Sequence, residues 1–164
     1  MVISTNANQV LDAKDRKILS LVQRDADLAQ AEIAKRVGLS AAAVNERLKK
    51  LEHAGVIRRY VAVVDARAVG TSVVAFVEVF IEHPRFEATF IARVRDMDEV
   101  QEVHHITGEF SLLLKVRVAD MESLQQLLIH RINGLEGVRQ TRTVIALSTS
   151  KEESYVPIAE GEKS

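Results

Sequence analysis

The sequence predicts an α+β fold in two parts, a helical domain followed by a domain in which strands and helices alternate. Two observations predict this division. Apolar residues recur every three or four positions in the first third of the chain, as on helices with one buried face. From Thr71 onward the apolar residues alternate instead, which is typical of strands. A chain of 164 residues with 47% hydrophobic residues can hold two small domains or one medium one.

Residues 31–51 predict two helices joined by a tight turn. Gly38 follows the first helix, where glycine adopts the left-handed conformation that ends a helix without steric cost. Ser40 then stands where its hydroxyl can accept a hydrogen bond from the first amides of the next helix. A short helix, a tight turn and a second basic helix are the arrangement that places one helix in the DNA major groove. The buried stripe of the second helix consists of Val44, Leu48 and Leu51.

The opposite side of the second helix has residue types suited to DNA. Two small alanines permit close approach to base edges, Asn45 can donate and accept hydrogen bonds to a base, and Lys49 suits a phosphate. The competing interpretation is an amphipathic helix whose charges are only solvated, but the preceding helix and the tight turn favour DNA binding. The predicted DNA-binding residues are Ser40, Ala41, Ala42, Asn45, Arg47, Lys49, Lys50, Arg58 and Arg59.

A third helix precedes the motif and an extended segment follows it. Asp12 is predicted to cap the first helix, and the second helix of the motif is predicted to end at Gly55. Residues 57–64 are rich in strand formers and are predicted to continue as an extended segment. Arg58 and Arg59 lie at its start, where they either contact the DNA backbone as in a wing or lie solvated at a domain edge.

Charge and composition narrow the function classes. Residues 1–66 contain eleven Lys and Arg against eight Asp and Glu, net +3, whereas the remainder contains eleven against fifteen, net −4. The first domain therefore suits DNA, and the acidic second domain suits subunit assembly or ligand sensing. No apolar run is long enough for a membrane span and no signal peptide is visible, so we expect a cytoplasmic protein. The absence of cysteine excludes disulfides and cysteine-ligated metals, and no metal or cofactor is predicted.

The second domain predicts the order strand, helix, strand, strand, helix, strand. A helix follows Pro84, and a second helix, capped by Asp120, ends at Asn133 and Gly134. Such an order folds as a ferredoxin-like βαββαβ sandwich, with four antiparallel strands and both helices on one face. The predicted strands are Thr71–Glu82, Val100–Thr107, Phe110–Val118 and Val138–Leu147.

One face of this predicted sheet has no cover. Phe76 and Phe80 would leave an exposed apolar patch there unless a second subunit covers it, so we predict a homodimer. The predicted domain limits are 1–66 for the helical domain, 67–72 for a hinge, 73–148 for the sandwich and 149–164 for a tail. The tail is predicted to be flexible or to form a short edge strand around Tyr155–Ile158.

Residues 11 to about 150 resemble the Lrp/AsnC, or feast/famine, family of bacterial and archaeal transcription regulators. The resemblance extends over both domains in order. The motifs that carry it are Leu11-Asp12, Asp15–Leu19, Ile33–Ser40, Val44–Leu51, Gly55-Val56-Ile57, Val103–Phe110, Leu113–Val116, Gly137-Val138, Thr141 and Thr143.

The resemblance implies a winged helix-turn-helix domain and a C-terminal RAM-type domain that dimerises, often into octamers. It also implies an amino acid or related metabolite bound between dimers, and the effector-binding candidates are Thr107, Gly108, Glu109 and Ser111. Many members have an aspartate where this chain has Ser111, and a neutral hydroxyl offers an effector's ammonium group no charge. Three alternatives follow for the effector: it is chemically different, it binds more weakly, or it is absent.

Two other function classes compete with a regulator. Siroheme decarboxylases resemble the same family, and the adjacent His104 and His105 invite the comparison. On an alternating strand, however, two neighbouring side chains point to opposite faces and do not form one paired site. An assembly module that had lost DNA binding predicts a neutralised second helix, and the basic residues of that helix argue otherwise. We therefore predict a non-enzymatic regulator that binds double-stranded DNA.

Overall fold

The computed structural model describes residues 11–159, and these residues form two compact units. Among these described residues, the helical unit comprises 11–63 together with 152–159, and the sheet unit comprises Val64–Lys151. The ends of the predicted first domain and tail, residues 1–10 and 160–164, lie outside the described residues. Of the helices in the described part, none has both the length and the apolar character that crossing a membrane requires.

The helical unit contains three helices, α1 (Ala13–Val22), α2 (Gln30–Val37) and α3 (Ala41–His53). Asp12 caps α1 as predicted: its carboxylate accepts from the Asp15 amide at 2.7 Å, and the Asp15 carboxylate accepts from the Asp12 amide at 3.2 Å. Gly38 ends α2 with a left-handed φ of 71°, and Ser40 accepts from the Ala43 amide at 3.2 Å. These contacts confirm the predicted helix ends on both sides of the turn.

The apolar stripes of the three helices meet in one core. Every residue of the stripe predicted for α3 is buried, as are the stripes of α1 and α2. Because each helix buries only one face, the opposite faces are left to polar side chains. The buried residues are Ile18, Leu19, Val22, Ile33, Ala34, Val37, Val44, Leu48 and Leu51.

The segment after α3 differs from its prediction. The helix ends at His53, and Gly55 lies in the following turn with a φ of 72°. The extended segment expected at residues 57–64 pairs with no strand, since these residues form no strand in the described structure. Strand-forming residues need a neighbouring strand for their backbone groups, and this segment has none within the chain described. Ile57 packs against the core of the helical unit, but the apolar side chains from Tyr60 onward are exposed, with Val63 at 91%.

The sheet unit has the predicted order of elements. A short 3₁₀ turn (Pro84–Phe86) precedes α4 (Glu87–Arg95), and α5 (Met121–Gln126) is followed by a π-helical turn (Leu127–Ile132). The four strands form one antiparallel sheet in the order β2-β3-β1-β4. The strands are β1 (Val73–Ile81), β2 (Val100–His105), β3 (Leu112–Val118) and β4 (Val138–Ile145).

Both helices of this unit lie on the same face of the sheet. Their buried residues share one cluster with the alternate residues of β1 and β3, which confirms the predicted sandwich. The π-helical turn replaces the last part of the predicted second helix. Ile132 lies five positions after Leu127, so the wider turn brings both side chains into the core, where each is at most 2% exposed.

The C-terminal tail packs on α1 instead of forming an edge strand. The Gln23 carboxamide accepts from the Val156 amide at 2.9 Å and donates to the Val156 carbonyl at 3.2 Å. The Arg24 guanidinium lies 5.2 Å from the centre of the Tyr155 ring, and Ile158 packs against the core of the helical unit. Residues 152–159 are therefore part of the helical unit, whereas the sequence predicted residues 149–164 as a separate tail.

Candidate nucleic-acid interface

The outer side of α3 presents the small and polar residues predicted to contact DNA. Ala41, Ala42 and Lys49 are exposed, and Asn45 is half-buried beside them. The Ser40 hydroxyl caps α3 by accepting from the Ala43 amide. Ser40 therefore presents only a short polar side chain at the start of this helix. With its opposite stripe buried, α3 is held with one polar face directed outward.

Asn45 has a partner on α2 that the sequence did not predict. The Gln30 Nε2 atom donates to the Asn45 Oδ1 atom at 3.4 Å. Gln30 is the first residue of α2, and its side chain is exposed. The two amides thus join the start of α2 to the outer face of α3.

Arg47 is differently placed from the other predicted DNA contacts. Its Nη1 atom lies 2.6 Å from a carboxylate oxygen of Asp12 and 2.7 Å from one of Asp15, so it bridges α3 to the capping box of α1. The Asp15 side chain is only 14% exposed. The hydrogen bonds to Asp12 and Asp15 raise the pKa of the Arg47 guanidinium, and the Asp15 amide, together with Arg47, lowers the pKa of Asp12.

The other cations predicted to contact DNA fall into two groups. Lys50 pairs with Glu46 at 2.8 Å, one turn away along α3, and both side chains are about two-thirds exposed. Such an exposed pair is weak, so a phosphate can replace Glu46 as the partner of Lys50. Within residues 11–159, Lys49, Arg58 and Arg59 form no ion pair. These three exposed cations are therefore free to approach a nucleic-acid backbone.

The exposed segment after α3 is tethered to that helix. The Tyr60 hydroxyl donates to Glu52 Oε1 at 2.9 Å. Partial burial and the Glu52 carboxylate raise the pKa of Tyr60 to about 12, so the phenol stays protonated and keeps donating. The tether fixes the path of the segment that contains Arg58 and Arg59 relative to α3.

The four effector candidates lie in the turn between β2 and β3. Thr107, Gly108 and Glu109 are exposed, and Gly108 has a φ of 122°, which favours glycine. Ser111 is half-buried, and its amide and hydroxyl both lie near the Val79 carbonyl, at 3.2 Å and 3.5 Å. The structure thus brings the four residues together at one end of the sheet.

The two adjacent histidines point to opposite faces of the sheet, as the alternation predicted. His104 lies 3.0 Å from Glu102 on its own strand, on the face without helices. His105 lies 3.1 Å from Glu87 of α4, on the covered face. The two rings therefore contact separate carboxylates and do not converge on one site.

The three-helix unit with an exposed basic helix, followed by a ferredoxin-like unit, defines a helix-turn-helix DNA-binding protein with an accessory α+β domain. Family models agree: residues 11–58 match "Winged helix-turn-helix DNA-binding" and residues 74–156 match "Lrp/AsnC ligand binding domain".

Two related regulators align with nearly the whole chain. The chain is 36% identical over 150 residues to the leucine-responsive regulatory protein of Salmonella typhimurium, covering 90% of this chain and 92% of the relative. It is 34% identical over 148 residues to the transcriptional regulator FL11 of Pyrococcus abyssi, covering 90% and 97%.

Solved structures extend the likeness to the fold. A transcriptional regulator of Neisseria meningitidis, solved as a complex with L-methionine, aligns with a TM-score of 0.86 and 31% identity over 90% of this chain and 97% of that one. A feast or famine regulatory protein of Mycobacterium tuberculosis, also complexed with L-methionine, aligns with a TM-score of 0.84 and 35% identity over 92% and 100%. The chain therefore belongs to the Lrp/AsnC family of DNA-binding transcription regulators.

Proposed function

We propose that this regulator reads double-stranded DNA with the outer face of α3. The observation that carries the proposal is the combination on that face of small residues, one amide side chain and an unpaired lysine, above a fully buried stripe. Asn45 would contact a base edge, the two alanines would permit close approach, and Lys49 would contact a phosphate. The full set of proposed contacts is Ser40, Ala41, Ala42, Asn45, Lys49, Lys50, Arg58 and Arg59.

Fluorescence anisotropy with the gene's own upstream DNA tests this assignment. Asn45→Ala should reduce the preference for that DNA over random duplex, because it removes a base contact. Lys49→Ala should weaken binding to all sequences alike, because it removes a phosphate contact. Gln125→Ala, an exposed glutamine of α5 in the sheet unit, is the matched control and should change neither. Unchanged selectivity in Asn45→Ala would remove the base-reading assignment.

Arg47 is proposed to have a structural role in place of the DNA contact predicted from sequence. Its Nη1 atom already contacts two carboxylates, and their negative charge reduces the attraction of this guanidinium for a phosphate. Moving Arg47 away from Asp15 would leave that half-buried carboxylate without its cation, which is unfavourable. Arg47 is therefore assigned to holding α3 against the start of α1.

An amino acid or a related metabolite is the proposed effector, bound at Thr107, Gly108, Glu109 and Ser111. Support comes from the match to a ligand-binding domain and from the two relatives that were solved with L-methionine. Ser111 supplies a hydroxyl, so the negative charge for an ammonium group would come from Glu109 in the same turn. Calorimetric titration of each amino acid into the full protein tests the proposal, and heat from none of them would contradict it.

A homodimer is proposed to form through the face of the sheet that has no helices. Phe76 and Val144 are 38% and 55% exposed on that face, and they are neighbours across β1 and β4. Half-buried Phe80 and Leu113 extend the apolar surface. An octamer of four such dimers is proposed from the family resemblance. Light scattering at micromolar concentration should give at least the dimer mass, and Phe76→Lys should lower it; a monomer in the unchanged protein would contradict the proposal.

We propose no catalytic function for this chain. The enzyme alternative depended on two adjacent histidines acting together, and these side chains have separate carboxylate partners on opposite faces. Each is more than half exposed, which suits a solvated surface contact better than proton transfer in a closed site.

A further inference from the structure

We propose that Gln30 is a specificity-determining residue of the DNA interface, although it is not on the recognition helix. It is a positioning residue that acts through Asn45. The inference rests on the proposed function of α3, and it adds a second helix to base recognition. Its basis is the hydrogen bond from Gln30 Nε2 to Asn45 Oδ1 at 3.4 Å between two helices.

Each of the two amides has unused hydrogen-bonding capacity. A carboxamide offers two N–H donors and an oxygen with two lone pairs. The bond between Gln30 and Asn45 uses one donor and one lone pair, and among residues 11–159 neither side chain has another hydrogen-bond partner. The pair therefore stays available to DNA while restricting how the Asn45 amide is turned.

The restriction matters because a 180° turn of the Asn45 amide exchanges its donor and acceptor. With Oδ1 directed at Gln30 Nε2, turning the Asn45 amide alone would place two donor groups against each other. While Gln30 donates, Asn45 therefore keeps its N–H group available to a base. That orientation suits acceptors on the major-groove edge of a purine, of which N7 is common to adenine and guanine.

The hydrogen bond becomes more effective on DNA than it is in the free protein. Gln30 is exposed and Asn45 half-buried, so water competes with the bond before binding. A duplex against α3 excludes that water, and the two amides then stabilise each other's orientation. We therefore expect that replacing Gln30 reduces the DNA selectivity and leaves the stability of the free domain unchanged.

Selection from a randomised duplex library with the full-length protein tests the inference. Four proteins are compared: the unchanged chain, Gln30→Ala, Asn45→Ala and the double variant. Asn45→Ala should lose about five- to hundredfold of the preference at one base position. Gln30→Ala should lose about two- to tenfold at the same position. The double variant should match Asn45→Ala, because Gln30 acts only through Asn45.

Two further variants separate positioning from general weakening of binding. Gln30→Glu has the same length but cannot donate, so it should favour the turned Asn45 amide and shift the preference away from purines. Lys35→Ala, an exposed residue on the same helix, should leave base preference unchanged. Replacing the selected purine by its 7-deaza analogue should reduce binding of the unchanged protein but not of Asn45→Ala.

The outcomes distinguish this inference from the proposed function. The role of Gln30 would be overturned if the effects of Gln30→Ala and Asn45→Ala multiply in the double variant, or if they fall at different base positions. Either result would leave the proposed function of α3 intact. Absence of any selected sequence for the unchanged protein would overturn the proposed function itself. Unchanged thermal unfolding of Gln30→Ala is expected, so reduced selectivity cannot be attributed to misfolding.

Discussion

Replacing Arg47 separates the structural role inferred here from a DNA contact. In Arg47→Ala, the Asp15 carboxylate, 14% exposed, would lose its cation at 2.7 Å, and Asp12 would lose one at 2.6 Å. Hydrogen bonds to charged groups contribute about 1.5–3 kcal/mol, and pairs at an exposed surface about 0.2–1 kcal/mol. The Arg47 side chain is 31% exposed and the Asp12 side chain 50%, so the energy of this pair lies between the values for buried and for surface pairs. We expect a loss of about 1–2 kcal/mol in the free energy of unfolding.

The pH dependence of this loss follows from Asp12. Its pKa is lowered in the folded state, by the Asp15 amide first and by Arg47 as well. A lowered pKa contributes stability above the unfolded value, near pH 4, and that stability disappears as the pH falls through the folded value. The difference in the free energy of unfolding between the unchanged protein and Arg47→Ala should therefore be largest at neutral pH and shrink below about pH 4.

Urea unfolding and the salt dependence of DNA binding together decide between the two roles. A structural Arg47 predicts that Arg47→Ala lowers stability but leaves the slope of log K against log salt unchanged. Lys49→Ala is the matched comparison: it should reduce that slope by about one while stability stays constant. The reasoning is refuted if Arg47→Ala reduces the slope by a similar amount with no loss of stability.

Three further variants test the packing and the effector site. Gly137→Ala should destabilise the sheet unit by at least about 2 kcal/mol in urea unfolding, because φ is +86° and the new Cβ would lie 2.7 Å from Phe86 Cδ2 and nearer still to Cβ; unchanged stability would contradict this. Ile158→Ala should cost the helical unit about 1–2 kcal/mol, whereas Val156→Ala, an exposed tail residue held by its backbone, should cost little; equal losses would show that Ile158 packing is unimportant. Ser111→Asp should tighten amino-acid binding about tenfold in calorimetry by adding a charge for the ammonium group, and weaker binding would place the effector elsewhere.

Much of the fold could be predicted because its signals are local. Asp12, Gly38 and Ser40 each act within three residues along the chain, so their sequence neighbours already define helix ends. The alternation in β1 likewise identified the buried face of the sheet. Such features depend on backbone geometry that every chain shares, and they need no knowledge of distant partners.

The features that could not be predicted depend on distant contacts. Arg47 meets carboxylates 32 and 35 positions away, and Gln23 binds a tail 133 positions away. Gln30 has no sequence signal, because a glutamine at the start of a helix is ordinary until Asn45 is placed opposite it. Residues 57–64 illustrate the reverse case: strand propensity is present, but no strand among residues 11–159 pairs with them.

Guanine N7 methylation protection on the selected DNA tests the central claim most directly, because N7 lies in the major groove. Two α3 helices of a symmetric dimer should protect two patches, in half-sites separated by about 10 base pairs or a multiple of that spacing. Asn45→Ala should diminish both patches together. Protection confined to one patch, or selective binding with no protected N7 at all, would contradict recognition of successive major grooves by α3.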